Sequence, residues 1–515
     1  MGSSRRACVT NLMRDAGPLI PAVANVPERL RVVPGARVGC GGPAADHGVT
    51  AMTEVPRPGP PPRVVFRGPS PAVRRFLATE SAGSVFLLIG TVLALAWANS
   101  PWSAAYTDFW HTPVGFGIGP ITFEMSLQHW VNDAAMAVFF CVIGLEITRE
   151  VAQGDLRDRR TVIVPTIGAV GGLLVPIAIY LLMNPSGEAA RGWGVVMSTD
   201  TAFVLGILAL FGPRCPDRIR VFLLTLAIAD DIGAITLMAI FYSHDPSLPA
   251  LGLAVVPVLV LLALRWVGVW RLYPYVLVGI ALWFCVYQSG VHATLAGVAV
   301  GLIIPAMPPP QSVVDRSAAY NRALRESPTA ERARLAVLAA ESTIPANDRL
   351  ERSLHPWTAY VIVPVFAFAN AGVALNPAAL ATAFGSSVTW GVALALVVGN
   401  TVGITGASLL TLRLGWGVLP GGVRYSHLLA ASMLAGIGFT ISLFIAELAF
   451  TDAAIMEQAK IGILAGSLVA AVLGSITLRA LGNRFPMCSP GAGESTLALP
   501  PRPWRAPQPV VAPGG

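Results

Sequence analysis

Apolar stretches long enough to cross a lipid bilayer recur along most of this sequence, from about residue 79 to residue 481. A membrane-spanning helix needs about 20 mainly apolar residues. Only 12% of the chain is charged, against about 25% in soluble domains. The sequence therefore predicts an all-α polytopic membrane protein with about twelve transmembrane helices. The predicted spans are 79–98, 127–148, 161–183, 193–211, 218–242, 249–269, 272–287, 290–306, 355–372, 389–411, 425–450 and 457–481.

Positive charge is concentrated in alternate connections between these spans. No Lys or Arg lies between Arg75 and Arg149, whereas three more Arg follow Arg149 in the second connection. The eighth connection contains seven Arg between residues 316 and 352. Because cytoplasmic loops carry the excess of Lys and Arg, this alternation predicts that both termini are cytoplasmic. The formal net charge of +7 lies in loops and tails between apolar spans, so no nucleic-acid partner is predicted.

Three regions of different composition divide the chain. Residues 1–74 form a Pro-, Gly- and Arg-rich extension that lacks the apolar core of a signal peptide. We predict that this extension is disordered, with Met52 as an alternative start. Residues 75–482 form the transmembrane domain, whose polar cytoplasmic insertion, 307–353, is predicted to be partly helical. Residues 483–515 are predicted to form a second disordered tail.

Two adjacent carboxylates, Asp230 and Asp231, interrupt the apolar fifth span. Asp230 lies ten residues after Arg220, which at about 1.5 Å per residue is roughly 15 Å, half of a ~30 Å hydrocarbon core. One aspartate at that depth costs about 2.5–3.5 kcal/mol. Two side by side cost more unless protons or a cation neutralise them. The aspartate pair is therefore predicted to be a cation and proton site near the membrane midplane.

Two other spans carry helix-breaking segments at their centres. The fourth span contains STDT at 198–201, whose small polar side chains compete for backbone hydrogen bonds. The eleventh contains AGIGFT at 435–440, where glycines loosen the helix; close helix packing through these glycines is the alternative. Spans interrupted near mid-membrane in both halves of a chain indicate a transporter's binding site, and Asp200 is well placed to offset the positive half-helix ends.

The first connection, residues 113–124, alternates apolar and small residues around Gly119-Pro120. This pattern favours a short external β-hairpin, with a loose loop as the alternative. The six cysteines are scattered without CxxC spacing, so neither a disulfide framework nor a metal site is predicted from them.

Seven segments, in order, resemble the signature segments of NhaA-type sodium/proton antiporters. They are WVNDAAMAVFF (130–140), VIGLEITRE (142–150), STDTAFVLG (198–206), LAIADDIGAI (226–235), SGVHATLAGV (289–298), LHPWTAYVIVPVFAFANAG (354–372) and GIGFTISLFIA (436–446). The resemblance implies that spans three to five and ten to twelve are inverted repeats, with the fourth and eleventh crossing at the site. It also implies a bacterial cytoplasmic-membrane location and a homodimer whose contact includes the hairpin 113–124.

Residue roles follow from the resemblance by position. Asp230 and Asp231 match the ion-binding and proton-carrying pair, Thr199 a neighbouring Na⁺ ligand and Asp200 the dipole-compensating acid. Asp133 matches an acid nearer the outer side. The pH-response candidates are Glu146, Arg149, Glu150, His292, Glu351 and His355. For the 146–150 cluster the alternative is an ordinary snorkelling helix end, and for the two histidines a structural role.

One departure from the family concerns the tenth span. The family usually has a lysine there, paired with the first aspartate of the pair, and this chain has Asn400. An amide can donate hydrogen bonds to Asp230 or to free carbonyl groups, but it cannot carry a proton. Mechanisms in which that lysine releases a proton therefore cannot operate here.

The predicted function is extrusion of Na⁺, and with it Li⁺, driven by inward proton flow, with no cofactor. Two carboxylates in contact titrate as a coupled pair, and their oxygens with the Thr199 hydroxyl suit a hard cation. The alternative is a sodium-coupled organic-solute symporter of related architecture. An intramembrane aspartyl protease is disfavoured, because Asp230 and Asp231 are adjacent on one span and no GxGD sequence accompanies them.

Overall fold

A computed structural model describes residues 81–118, 121–153, 159–211, 217–242, 247–307, 309–419 and 423–484. The predicted extension 1–74 and most of the predicted tail 483–515 lie outside these residues. The described chain is mostly helical, and the last helix ends at Arg484, just inside the predicted tail.

Helices cover all twelve predicted spans. By length and hydropathy, six single helices and three bent helix pairs qualify as membrane spans within the described chain. In chain order, the helices that cover the twelve predicted spans are Ser81–Ala98; Leu127–His129, Trp130–Ala135 and Met136–Gln153; Arg159–Met183; Arg191–Val196 and Thr201–Phe211; Asp217–Phe241; Leu248–Val267; Leu272–Gln288; Thr294–Ile303; Ala346–Trp357 (which begins before the predicted span), Thr358–Ile362 and Val363–Asn370; Ser387–Leu394, Ala395–Gly399 and Asn400–Arg413; Tyr425–Leu434 and Phe439–Ala449; and Ala453–Arg484. The predicted fold class is confirmed.

The eighth span is shorter than the sequence predicts. Its helix, Thr294–Ile303, has 10 residues and is therefore only about 15 Å long. The apolar residues before it form a non-helical segment, in which Ser289 is buried and its carbonyl accepts a hydrogen bond from the Ser247 N–H. Hydropathy could not distinguish this partly buried segment from a helix.

Glycines bring two pairs of spans into close contact. The third and tenth spans run antiparallel, and a Cβ on Gly403 would lie 2.8 Å from the carbonyl carbon of Gly171. The second and eighth spans meet in the same way, since a Cβ on Gly144 would lie 2.8 Å from the Val298 carbonyl oxygen. In membranes such small-residue contacts drive helix association, because lipid tails remove the hydrophobic effect between helices.

The first connection forms the predicted hairpin, which confirms that prediction over a loose loop. Strands Pro113–Ile118 and Ile121–Ser126 pair antiparallel, with Pro113 opposite Ser126. The Trp130 indole Nε1 donates to the Val114 carbonyl oxygen at 2.8 Å, which fixes the hairpin to the start of the second span. We call this end of the helix bundle the hairpin end.

The predicted insertion lies at the opposite end, which we call the insertion end. It contains the helices Gln311–Glu326 and Ala330–Ser342, which confirms a partly helical segment. Its last predicted residues, from Ala346 onward, instead begin the continuous helix of the ninth span. Asn347 ties this helix to the second span by donating from Nδ2 to the Leu145 carbonyl oxygen at 3.0 Å.

Candidate ion-binding site

The fourth and eleventh spans are both interrupted, and their interruptions cross. Each bends by 46° at its break. The Asp200 N–H donates to the Ile437 carbonyl oxygen at 2.6 Å, and the Thr199 hydroxyl donates to the Ala435 carbonyl oxygen at 2.9 Å. Backbone groups left free by one broken helix are thus satisfied by the other. The breaks lie at STDT and AGIGFT, where the sequence predicted interruptions.

The two glycines of AGIGFT also allow close helix packing, which was the alternative explanation for this segment. A Cβ on Gly438 would lie 2.9 Å from the Ser198 carbonyl oxygen. A Cβ on Gly436 would contact the Leu396 carbonyl oxygen of the tenth span at less than van der Waals distance. The AGIGFT segment therefore both breaks the helix and lets two other spans approach it.

Asp200 caps two half-helices at once. Its Oδ1 accepts from the Phe203 N–H at 3.0 Å, at the start of Thr201–Phe211. Its Oδ2 accepts from the Thr440 N–H at 2.9 Å and from the Thr440 hydroxyl, at the start of Phe439–Ala449. A carboxylate at a helix N-terminus satisfies free N–H groups and offsets the positive end of the dipole. The sequence indicated this role for Asp200 but not its partner Thr440.

The aspartate pair faces this crossing from the fifth span. Asp230 is 3% exposed and Asp231 is 7% exposed, so neither side chain faces lipid. Asp230 Oδ2 accepts the Thr199 N–H at 2.8 Å. Asp231 Oδ1 is buried and has no hydrogen-bond partner among the described residues. Two carboxylates, the Thr199 hydroxyl and interrupted backbone therefore meet in one buried place.

Asn400 lies beside the crossing and satisfies a backbone carbonyl of its own span. The segment Ala395–Gly399 is π-helical, and the Asn400 N–H donates five residues back, to the Ala395 carbonyl oxygen. The Leu396 carbonyl oxygen, four residues back, instead accepts from Asn400 Nδ2 at 3.3 Å. Of the two roles predicted for this amide, the structure contains the bond to a carbonyl. The π-helical turn leaves no trace in hydropathy, so sequence reasoning missed it.

Four of the pH-response candidates meet at the insertion end. Arg149 Nη1 lies 2.5 Å from Glu351 Oε1, and its Nη2 lies 3.6 Å from Glu150 Oε1. Glu146 precedes Glu150 by one turn of the same helix. Burial raises the pKa of Glu351, and the Arg149 charge opposes that shift. The pair joins two spans, which an ordinary snorkelling helix end would not do. His355 follows Glu351 by one turn of the ninth span.

His292, the remaining pH-response candidate, and Asp133 lie apart from these groups. His292 Nε2 lies 2.7 Å from the Tyr242 carbonyl oxygen, and because a carbonyl only accepts, Nε2 carries the proton. This contact is at the hairpin end, away from Arg149. Asp133 is half-buried in the π-helical segment Trp130–Ala135, also toward the hairpin end, where its carbonyl oxygen accepts from Trp283 Nε1 at 3.2 Å.

Comparison with known proteins gives a consistent result. Residues 74–478 match the family described as Na⁺/H⁺ antiporter 1. A protein of Frankia alni named Na(+)/H(+) antiporter NhaA 3 is 60% identical over 459 residues, which cover 89% of this chain and 99% of that protein.

Two further relatives extend the similarity. Na(+)/H(+) antiporter NhaA 1 of Mycolicibacterium vanbaalenii is 46% identical over 77% of this chain, and the match spans 64% of that longer protein. Na(+)/H(+) antiporter NhaA of Janthinobacterium sp. (strain Marseille) is 42% identical over 78% of this chain and 91% of its own length. The family match and these identities agree with the buried aspartate pair at crossed, broken helices: this chain belongs to the NhaA-type sodium/proton antiporter family.

Proposed function

We propose that this chain is a secondary transporter that exchanges cytoplasmic Na⁺ for external H⁺ at the aspartate pair. The observation that carries the proposal is the position of Asp230 and Asp231, both buried against the crossing, with Asp230 held by the Thr199 N–H at 2.8 Å. Buried carboxylates inside a membrane are costly and mark ion or proton pathways. The names of the similar proteins support the same activity.

The exchange follows from competition for one set of oxygens. Na⁺ is a hard cation that suits the carboxylates of Asp230 and Asp231 and the hydroxyl of Thr199. Protons bind the same carboxylate oxygens, so a loaded site holds either protons or Na⁺. When the two broken helices expose the site to each side in turn, a site that moves only when loaded produces obligatory exchange. Li⁺ suits the same ligands and is an expected second substrate.

The size of the site favours an inorganic ion over an organic solute. The cavity that contacts Asp231 has a volume of about 10 Å³ and is otherwise lined by apolar side chains, including Phe140, Met238 and Ile441. That volume holds roughly one water molecule. A sodium-coupled organic-solute symporter needs a larger midplane cavity with polar groups for its solute, so the antiporter is favoured.

Charge movement is part of the proposal. If the aspartate pair holds two protons or one Na⁺, each cycle moves one net charge across the membrane. Asn400 is neutral and takes no part in this charge movement. Exchange is then electrogenic without the lysine of the family. Everted vesicles clamped at different membrane potentials measure this directly. Uptake of ²²Na⁺ that ignores the imposed potential would contradict the two-proton stoichiometry and leave the exchange itself standing.

Asp231→Asn tests the function itself. Everted vesicles containing the parent should show a Na⁺-induced pH change, and vesicles containing Asp231→Asn should show none at equal protein content. Asp315→Asn is the matched control, because it makes the same change at an exposed position on the helix Gln311–Glu326. Exchange at the parental rate in Asp231→Asn would contradict the assignment of the site.

The setting of the protein is proposed from the same features. The organisms of the similar proteins support a bacterial cytoplasmic membrane. The arginine-rich connections favour an orientation with the insertion end and both termini in the cytoplasm. The Arg149–Glu351 pair would then lie at the cytoplasmic mouth, where it can couple exchange to internal pH, together with Glu146, Glu150 and His355. A homodimer through the external hairpin 113–124 is proposed because its strands present an edge that a second copy can extend.

A further inference from the structure

Ser198 has a buried hydroxyl that makes no hydrogen bond of normal geometry within the described part of the chain. It is 0% exposed, and its Oγ has no hydrogen-bond partner among the described residues. The other polar side chains at the crossing are bonded: Thr199 to Ala435, Thr440 to Asp200, and Ser442 to the Val195 carbonyl oxygen at 2.6 Å. Ser198 thus differs from these neighbouring side chains, whose hydroxyl groups all form hydrogen bonds.

The Ser198 hydroxyl lies beside the Asp231 carboxylate. Asp231 Oδ1 is also buried, and neither it nor Ser198 Oγ makes a hydrogen bond of normal geometry within the described chain. Because most buried polar atoms in folded proteins are paired, two neighbouring oxygens without such bonds indicate a position where a bound species completes the contacts.

We infer that the Ser198 hydroxyl is a direct ligand of the transported cation and acts together with the carboxylate of Asp231. This inference rests on the proposed function and adds a residue that the aspartate pair and Thr199 do not include. A hydroxyl is a neutral hard donor that suits an alkali cation. It adds no charge, so it strengthens cation binding without changing the number of protons exchanged.

This role separates Ser198 from Asp231 in its effects. Loss of the Asp231 charge removes exchange itself, whereas loss of the Ser198 oxygen weakens only the cation side of the competition. Apparent Na⁺ affinity should fall about fivefold, the effect of losing one hydrogen-bond-strength oxygen contact. The charge moved per cycle should be that of the parent, because the number of protons exchanged does not change.

Three variants test the inference. Ser198→Ala removes the oxygen, and Ser198→Cys replaces it with a soft sulfur of similar size, which is a poor ligand for Na⁺. Ser467→Ala is the matched control, because Ser467 is 6% exposed and its Oγ is likewise without a partner among the described residues, but it lies in the twelfth span. Two readouts are needed: the Na⁺ concentration that gives half-maximal exchange in vesicles, and Na⁺-induced thermal stabilisation of purified protein.

We expect Ser198→Ala and Ser198→Cys to require about fivefold more Na⁺ in both assays, and Ser467→Ala to behave like the parent. In Na⁺-free buffer, Ser198→Ala should unfold at the same or a higher temperature, since it removes an unsatisfied buried hydroxyl. That result separates lost binding from misfolding.

Several results would overturn the inference. Parental Na⁺ affinity in Ser198→Ala would do so, and so would parental affinity in Ser198→Cys, which would assign the position to packing. An equal loss of affinity in Ser467→Ala would show a general effect of removing buried hydroxyls. In each case absence of exchange in Asp231→Asn would leave the proposed function intact, whereas exchange by Asp231→Asn would overturn that function whatever Ser198 does.

Discussion

Asn400 shows how one neutral side chain can occupy the place of a cation. Its amide donates to the Leu396 carbonyl oxygen at 3.3 Å, which the π-helical turn before it has left without the usual N–H. Leu396 in turn packs against the glycines of the eleventh span. Asn400 therefore supports the backbone beside the ion site, while contributing no charge to the competition between H⁺ and Na⁺.

Asn400→Lys should shift the pH profile of exchange to lower pH. A cation next to the aspartate pair favours ionised carboxylates, so Na⁺ competes with protons at a higher proton concentration than in the parent. Na⁺-induced pH changes in everted vesicles across a pH series measure the shift. Asn400→Gln, which stays neutral, should keep the parental profile. A lysine variant that folds and shows no shift would contradict this account of Asn400.

At the scale of elements, one carboxylate holds two half-helices in register. Asp200 accepts hydrogen bonds from the first turns of Thr201–Phe211 and Phe439–Ala449, which belong to different spans. Movement of either half-helix alone would break these bonds. The two halves should therefore move as one unit when the site changes the side to which it opens.

Thr440→Val tests this link with little change in shape. It removes the hydroxyl that bonds Asp200 and retains the backbone N–H, so unfolding should become easier by about 1.5–3 kcal/mol, the usual value for a bond to a charged group. Thr411→Val is the control, because the buried Thr411 hydroxyl bonds only within its own helix, to the Ala407 carbonyl oxygen. Equal stability of the two variants, measured by thermal denaturation in detergent, would argue against a special role for Thr440.

The contact between the third and tenth spans allows a second test at this scale. A Cβ on Gly403 would lie 2.8 Å from the Gly171 carbonyl carbon and 3.0 Å from Val175 Cβ, so Gly403→Ala should destabilise the protein by about 1–3 kcal/mol through overpacking. Gly406→Ala, one turn later, meets no described atom within 4 Å. It should be neutral or stabilise by about 0.5–1 kcal/mol, since alanine favours helix. Loss of stability in both variants would contradict a packing explanation.

Across the whole molecule, the Arg149–Glu351 pair connects the second and ninth spans at the insertion end. Glu351 is only 12% exposed, and its Oε1 lies 2.5 Å from Arg149 Nη1. Burial raises its pKa, while Asp348 and Glu150 add to the shift and Arg149 opposes it. The folded protein therefore binds a proton at Glu351 at pH values where the unfolded chain has released it.

The sign of the pH effect follows from this linkage. The stability that Glu351 contributes is fully present below pH 4.5, the ordinary pKa of its carboxyl group. This stability is lost as the pH rises through the raised pKa of Glu351 in the folded protein. Glu351→Gln does not titrate, so its melting temperature should rise relative to the parent as the pH increases from 4.5 through the raised folded pKa of Glu351. Glu331→Gln, at an exposed position, should follow the parent. An opposite slope in Glu351→Gln would contradict the raised pKa.

Sequence alone predicted the features that depend on local chemistry. The two breaks follow from STDT and AGIGFT, and the buried acid pair follows from charge inside an apolar span. Thr440 as a partner of Asp200 was not predicted, because the two lie 240 residues apart and nothing local aligns them. The short length of the eighth helix and the π-helical segment Ala395–Gly399 were also not predicted. Apolar residues occur in α-helices, π-helices and partly buried loops, so hydropathy does not distinguish these conformations.

The proposed dimer can be tested by removing the hairpin through which the two copies are proposed to pair. Pro113 and Ser126 are Cα partners at the base of the hairpin, and such partners lie about 4.5–5.5 Å apart. Residues 114–125 can therefore be replaced by two glycines without moving the helices on either side. We expect the parent to be a dimer in detergent by light scattering and this variant to be a monomer. Because Asp230, Asp231 and Thr199 come from one chain, the monomer should still exchange Na⁺ for H⁺ in vesicles. A variant that remains dimeric would assign the interface to another surface, and a monomer that folds but does not exchange would show that the site depends on its partner.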